Sequence, residues 1–298
     1  MQEIASGLRF PEGPIALADG SIVLVEIERQ TLSRVTPVGE TEVIAELGGG
    51  PNGAAMGPDG AIYVCNNGGF KWNESDDMLA PSGTPDDYSG GRIERVELDT
   101  GRVDVLYKTC DGAPLNGPND IVFDSQGGLW FTDLGKSYDR YKDLGYIYYA
   151  KHDGSKISCQ LGRRETPNGI GLSPDEKTLY FAETITGRVW AYDITSPGTL
   201  DQGSGRLLLG LPGFQLFDSL AVDAAGNVCV ATLINGGITV VSPDGAQVEH
   251  IPTGDVFTTN ICFGGEDLQT AYITLSGTGR LVSMPWPRPG LKLNFLND

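Results

Sequence analysis

The stretch PNDIVFDSQGGLWFTD, Pro118 to Asp133, decides the fold. An apolar run enters Asp124-Ser-Gln-Gly-Gly128 and a second apolar run leaves it, the pattern of a β-hairpin. Close copies are PNGAAMGPDGAIYV from Pro51 and PNGIGLSPDEKTLYFAE from Pro167. Weaker ones are PEGPIALADGSIVLVE from Pro11, FDSLAVDAAGNVCVAT from Phe217 and TNICFGGEDLQTAYIT from Thr259. One position in each copy is an acid or amide: Glu12, Asn52, Asn119, Asn168, Asp218 and Asn260. Successive marked positions lie 40, 67, 49, 50 and 42 residues apart. Such periods, made of short strands and Gly-rich turns, indicate propeller blades.

Further strand-like runs fill out the units, as in Gly91–Asp99, Gly101–Lys108, Gly187–Ile194 and Gly205–Leu211. Four strands in each of six units predict an all-β, six-bladed β-propeller spanning residues 1–298 as one domain. The last unit offers only three strands, around Ile261–Phe263, Ala271–Leu275 and Arg280–Met284. The N-terminal run Glu3–Leu8 is expected to supply the fourth and remove an exposed edge. The long second interval holds an insertion over residues 66–91, polar and rich in Gly and Pro, with Phe70, Trp72 and Tyr88. A loop of that length is usually functional or disordered, and the functional reading is a lid over one end of the channel.

A net charge of −18 disfavours nucleic acid, whose phosphates require a basic face, and anionic membrane surfaces. No apolar run approaches a membrane span, and MQEIASGLRF lacks the layout of a secretory signal. The five cysteines show no CxxC spacing and read as reduced, which together point to the cytoplasm. Monomer and dimer are equally compatible with the pattern.

The innermost strand of each blade lines a propeller's channel, so the six marked residues face one axis. All carry side-chain oxygen and none is His or Cys. Oxygen-only ligation suits a hard divalent cation, Ca²⁺ first, then Mg²⁺ or Mn²⁺, with Zn²⁺ also admitted. Asn and Asp also serve turns and strand starts. That structural role is preferred for Asn52 and Asn260, and the metal role for Asn119, Asn168 and Asp218. Glu is a poor turn mimic, so Glu12 adds weight to a metal. A second ring lies 14 residues further on at Glu26, Asn66, Asp133, Thr232 and Thr274, and 15 further on at Glu183. These groups either flank a substrate or hold loops.

At these residues the chain resembles the senescence marker protein / gluconolactonase / luciferin-regenerating enzyme family of six-bladed propellers. The resemblance rests on Phe10-Pro-Glu-Gly-Pro14, Leu115-Asn-Gly-Pro-Asn-Asp120 with Leu129-Trp-Phe-Thr-Asp133, Thr166-Pro-Asn-Gly169 with Ser173-Pro-Asp175, and Asp218-Ser-Leu-Ala-Val-Asp223, in that order. It implies a divalent metal held by Glu12, Asn168 and Asp218, with Asn119 as a fourth ligand or substrate contact. Related diisopropylfluorophosphatases and paraoxonases share that arrangement. It also implies hydrolysis of a small-molecule lactone, commonly a sugar-acid lactone of carbohydrate metabolism, to the hydroxy acid. The metal would act as Lewis acid, Asp218 as base or water-orienting group, and Asn119 as an oxyanion contact. Asn66, Trp72, Asn116, Asp133 and Glu183 are the candidate substrate contacts. Many gluconolactonases carry a basic residue shortly before the Asn119 motif, whereas Cys110–Asp120 has none. Lys71, Lys136, Arg140 or Arg164 would have to supply a cation instead. His152 and His250 lie outside the marked positions and no Gly-x-Ser-x-Gly occurs, so Ser-His hydrolysis has little support. The alternatives are an aryl-ester or organophosphate hydrolase on the same scaffold, or a non-catalytic Ca²⁺-stabilised binding propeller.

Overall fold

Alternation along the strand Ile22–Glu26 shows how the sheets stack. Successive side chains leave a strand on opposite faces. Val23 and Val25 pack with Ile62 and Val64 of the next sheet, whereas Ile22 and Leu24 pack with Ala5 and Leu281 on the other side. Ile62–Asn66 divides in the same way, with Tyr63 and Cys65 facing the third sheet. A strand covered on both faces needs a continuous apolar run, which is how Ile22-Val-Leu-Val25 reads. Six apolar clusters fill the gaps between neighbouring sheets, so the core is a set of radial wedges.

The computed structural model describes residues 1–297; Asp298, the last residue of the expected domain, lies outside the described residues. The first blade pairs Pro11–Ala16, Ile22–Glu26, Thr31–Val35 and Thr41–Glu46 in order. The other five sheets begin at inner strands Pro51–Met56, Pro118–Phe123, Pro167–Leu172, Leu216–Val222 and Thr258–Gly264. All pairings are antiparallel, and the fourth sheet carries a short extra strand, Thr199–Leu200. The architecture is a six-bladed β-propeller, all-β among the described residues. The sixth sheet takes its outer strand from Gln2–Ala5, which pairs with Arg280–Pro285. This strand is shorter than the run Glu3–Leu8, because the chain turns at Gly7 with φ +74°. No helix among the described residues is long and apolar enough to cross a membrane.

The insertion is not a plain loop. Trp72–Ser75 and Met78–Pro81 form a hairpin whose four-residue strands are too short to show a period in sequence. It reaches the first blade through Arg9, 2.6 Å from Glu74, and through Phe10, 5.1 Å from the Trp72 ring. It reaches the sixth through Leu79 N, which donates to Gly277 O at 2.9 Å. It reaches the third through Thr84 Oγ1, which donates to Ser137 O at 2.8 Å. The segment thus rests on the sixth, first and third blades at one end of the propeller.

The opposite mouth is crossed by the last residues of the chain. Asn297 bonds Ala16 O and Ala18 N, Asn294 donates to Phe123 O, and Leu291 N donates to Val222 O. Between this strap and the marked residues lies a cavity of about 550 Å³, lined by Ile15, Met56, Phe123, Leu172, Leu220 and Phe263, one from each blade.

Candidate active site

Every marked residue sits at a break in strand pairing. The register slips between Glu12 and Ile15, Pro51 and Ala54, Pro118 and Ile121, Pro167 and Ile170, Phe217 and Leu220, and Thr258 and Asn260. A bulge re-aims a side chain that regular alternation would send into a neighbouring sheet. Glycine follows the marked residue in three blades. A Cβ on Gly13 would lie 2.7 Å from Asn52 O, on Gly53 2.5 Å from Asn119 O, and on Gly169 2.7 Å from Asp218 O. These glycines let neighbouring inner strands approach and draw the marked residues together. Gly169→Ala is expected to destabilise the fold by about 1–3 kcal/mol through overpacking. It should also weaken cation binding by displacing Asp218, as read by thermal melts and calorimetry.

Glu12 is buried, and its Oε2 accepts from Asn260 Nδ2 at 2.7 Å and Gly13 N at 2.8 Å. Asn260 Oδ1 accepts from Ile261 N at 2.8 Å, so both ends of that amide are engaged and Asn260 orients Glu12. Asn168 Nδ2 donates to Thr184 Oγ1 at 3.0 Å, which turns Oδ1 the other way. The Oδ1 atoms of Asn168 and Asn119 are buried and have no hydrogen-bond partner among the described residues. Asn52 is buried as well.

Burial raises the Glu12 carboxyl above its ordinary range, with hydrogen bonds from Asn260 and Gly13 offsetting part of the rise. Burial raises Asp218 further, and the Glu12 charge adds to it, then Asp120, against the neighbouring Asn168 amide. Two carboxylates that disfavour each other's ionisation and two unpaired amide oxygens are each costly alone. One hard divalent cation relieves all four, and Glu12, Asn119, Asn168 and Asp218 could hold it. Among the described residues no three His, Cys, Asp or Glu side chains group as ligands. This set has two carboxylates and draws its other oxygens from amides.

Asp120 was not singled out in the sequence. Burial, then the Glu12 charge, pushes its carboxyl up to about 8. It accepts from Ile121 N at 2.9 Å and Ile170 N at 3.3 Å, bridging the third and fourth blades under the marked residues. The available signal was its place: glycine follows the marked residue in the first, second and fourth blades, and Asp follows it in the third. Thr184, which orients Asn168, had no such signal.

The second ring is paired as the 14- and 15-residue offsets require, with Glu26 opposite Pro11, Asn66 opposite Pro51, Asp133 opposite Pro118 and Glu183 opposite Pro167. Its polar atoms hold the segments that enter the inner strands. Asp133 accepts from Asn116 N, Gly117 N and Gly135 N at 2.7–2.9 Å. Asn66 Oδ1 accepts from Gly50 N and Gly68 N. Glu183 accepts from Arg164, Thr186 and Trp190. Asn116 is half-buried, and its Nδ2 donates to Asp143 at 3.1 Å. Trp72, in the insertion, packs tilted against Phe10 and edge-on to Phe70. Of the candidate cations, Lys71 pairs with Asp86 and Arg164 with Glu183, Lys136 is buried under the insertion, and Arg140 is exposed. His152 bonds Gly127 O and His250 bonds Thr239, both away from the marked residues.

Fold and site together define a class of protein: a six-bladed propeller with acid and amide oxygens gathered in its channel. Residues 10–277 match the family model described as SMP-30/Gluconolactonase/LRE-like region, and the chain belongs to that family. It is 26% identical to a gluconolactonase of Zymomonas mobilis over 93% of this chain and 79% of that one. A gluconolactonase structure from Xanthomonas campestris superposes with a TM-score of 0.76 at 24% identity, covering 96% of this chain and 89% of that one. Regucalcin of Agrobacterium tumefaciens, described as a calcium-binding protein, superposes with a TM-score of 0.72 at 19% identity, covering 98% and 97%.

Proposed function

We propose that this protein hydrolyses a lactone to its hydroxy acid and requires a divalent cation held by Glu12, Asn119, Asn168 and Asp218. The observation that carries this reading is the pair of unpartnered Asn oxygens beside two mutually repelling carboxylates. The gluconolactonase names among its relatives support the lactone, and the calcium-binding neighbour supports Ca²⁺. When bound, the cation supplies Lewis-acid stabilisation of charge developing on the ester carbonyl oxygen.

The chain's own residues do the rest. Substrate enters beneath the insertion, because the C-terminal strap lies across the other mouth. Glu12 is pinned by Asn260 and Gly13 and keeps one orientation. Asp218 keeps part of its surface exposed, while its carboxyl is desolvated beside Glu12, Asp120 and Asn168. It orients the attacking water and accepts its proton. We assign the Asn119 amide N–H as the donor to the oxyanion. Neither histidine is within this set, so the carboxylate carries the proton.

A pH-indicator assay of acid release from a panel of lactones tests the reading, comparing chelated protein with samples restored by Ca²⁺, Mg²⁺, Mn²⁺ and Zn²⁺. Expected is turnover lost on chelation and restored by Ca²⁺. Turnover of aryl esters or organophosphates alone would replace the substrate class. If every lactone stays intact while Ca²⁺ still raises the melting temperature, the centre is structural and the chain is a binding propeller.

A further inference from the structure

Lys136 is a buried charged group that the proposed chemistry leaves unused. It is 1% exposed. Its Nζ donates to the carbonyl oxygens of Gly69 at 2.6 Å and Asn67 at 3.1 Å. The ring centroids of Phe70 and Tyr88 lie 4.4 and 5.2 Å from it. All four groups belong to the insertion. The two carbonyls converge because Gly68 and Gly69 take φ values of +83° and +115°, a region that favours glycine. The converging carbonyls accept from an amine held between two ring faces, and that amine comes from a side chain of the third blade.

Among the described residues no carboxylate hydrogen-bonds Nζ. Asp133 and Asp143 face it from the third blade, and both are engaged by other donors. Asp133 accepts from Asn116, Gly117 and Gly135, and Asp143 from Asn116 Nδ2 and the Lys136 backbone. From the insertion, the Tyr88 ring faces it, with the hydroxyl donating to Asn116 O at 2.5 Å. Burial pushes the ammonium down to about 7 against the attraction of the two acids.

We propose that Lys136 is a positioning residue that fastens the root of the insertion to the third blade. It thereby holds the roof of the site and the Asn116–Asn119 segment in one arrangement. Asn116 is the relay: Tyr88, Asp133 and Asp143 all bond it, and Asn119 follows three residues later. The effect on substrate binding rests on the lactonase reading; the fastening does not.

Opening the insertion returns Lys136 to water, where a lysine titrates near ~10.4. Between about 7 and that value the closed form holds fewer protons than the open form. Closing is therefore favoured as pH rises through this window, and is weakest below it.

Hydrogen exchange of residues 67–91 in the full chain, corrected for intrinsic rate and followed from pH 6 to 9, tests the fastening. In the wild type, opening is expected to fall as pH rises above 7. In Lys136→Met the trend should vanish, with opening at pH 9 raised about tenfold, the order of one lost hydrogen bond to a buried amine. Lys136→Arg should open at every pH, because a guanidinium cannot shed its proton. KM for the best lactone should rise in Lys136→Met, and kcat should fall as well, because the Asn119 donor is no longer held in place. A pH trend that survives in Lys136→Met, or wild-type exchange in that variant, overturns the fastening. An unchanged KM beside the expected exchange overturns the role in binding. If Lys136→Met does not fold, Gly69→Ala, strained at φ +115°, displaces the same carbonyl and should reproduce the raised exchange; wild-type exchange there overturns the fastening. If the wild type turns over no lactone, the functional reading falls and the exchange data still decide the fastening.

Discussion

Asp218→Asn is expected to lose turnover by roughly 10²–10⁴-fold, the range for a positioned general base. The amide keeps the shape and one oxygen for the cation, so the loss falls on kcat rather than KM. Folding should not suffer. In the cation-free protein Asp218 is raised by burial and by the Glu12 charge, so the carboxylate is a cost to the fold and the neutral amide removes it. The chelated variant should therefore melt at or above the chelated wild type. Near-normal kcat with Ca²⁺ present would remove Asp218 from the proton transfer.

Glu12→Gln is expected to act on the cation first. Glu12 is held in place by two hydrogen bonds to one oxygen, and the substitution removes a full charge from the centre. Loss of a supporting outer contact costs about 10–100-fold in metal affinity, and loss of a charged ligand should cost more. Calorimetry with Ca²⁺ reads this directly, and wild-type affinity would take Glu12 out of the ligand set. The same carboxylates predict how the cation-free protein responds to pH. In the unfolded chain they titrate near ~4. In the fold Glu12 and Asp218 are raised, and Asp120 is pushed up to about 8. The folded protein thus holds protons that the unfolded chain has released, and stability falls as pH rises across that window. Chelated protein should melt higher at pH 5 than at pH 8, and saturating Ca²⁺ should flatten the difference.

What could be read from the sequence was local. A hairpin is specified by its own turn and two apolar runs, and six of them gave both the blade number and the marked residues. The second ring was legible for the same reason, since a hairpin's length sets which residues face each other, as with Pro118 and Asp133. What could not be read depends on partners distant in the chain. Asn260 and Asn168 are the same residue in similar motifs. Only the placement of Glu12, 248 residues away, makes Asn260 an orienting group, and Thr184 leaves the Asn168 oxygen bare. The strap at residues 291–297 shows no period, because its order comes from loops of other blades. The hairpin in the insertion was hidden by short strands. Lys136 was one of four candidate cations for the substrate, and the carbonyls of Asn67 and Gly69 that hold it instead come from another blade's insertion.

The sixth sheet joins Gln2–Ala5 to Arg280–Pro285. During synthesis the first of these strands leaves the ribosome long before its partner exists. At ~5–20 residues per second the wait is on the order of 15–60 s. Over that interval the early blades can stack while one sheet edge and one short strand stay unpaired, each open to the wrong neighbour. Exposure to a wrong pairing therefore lasts until the closing strand Arg280–Pro285 emerges.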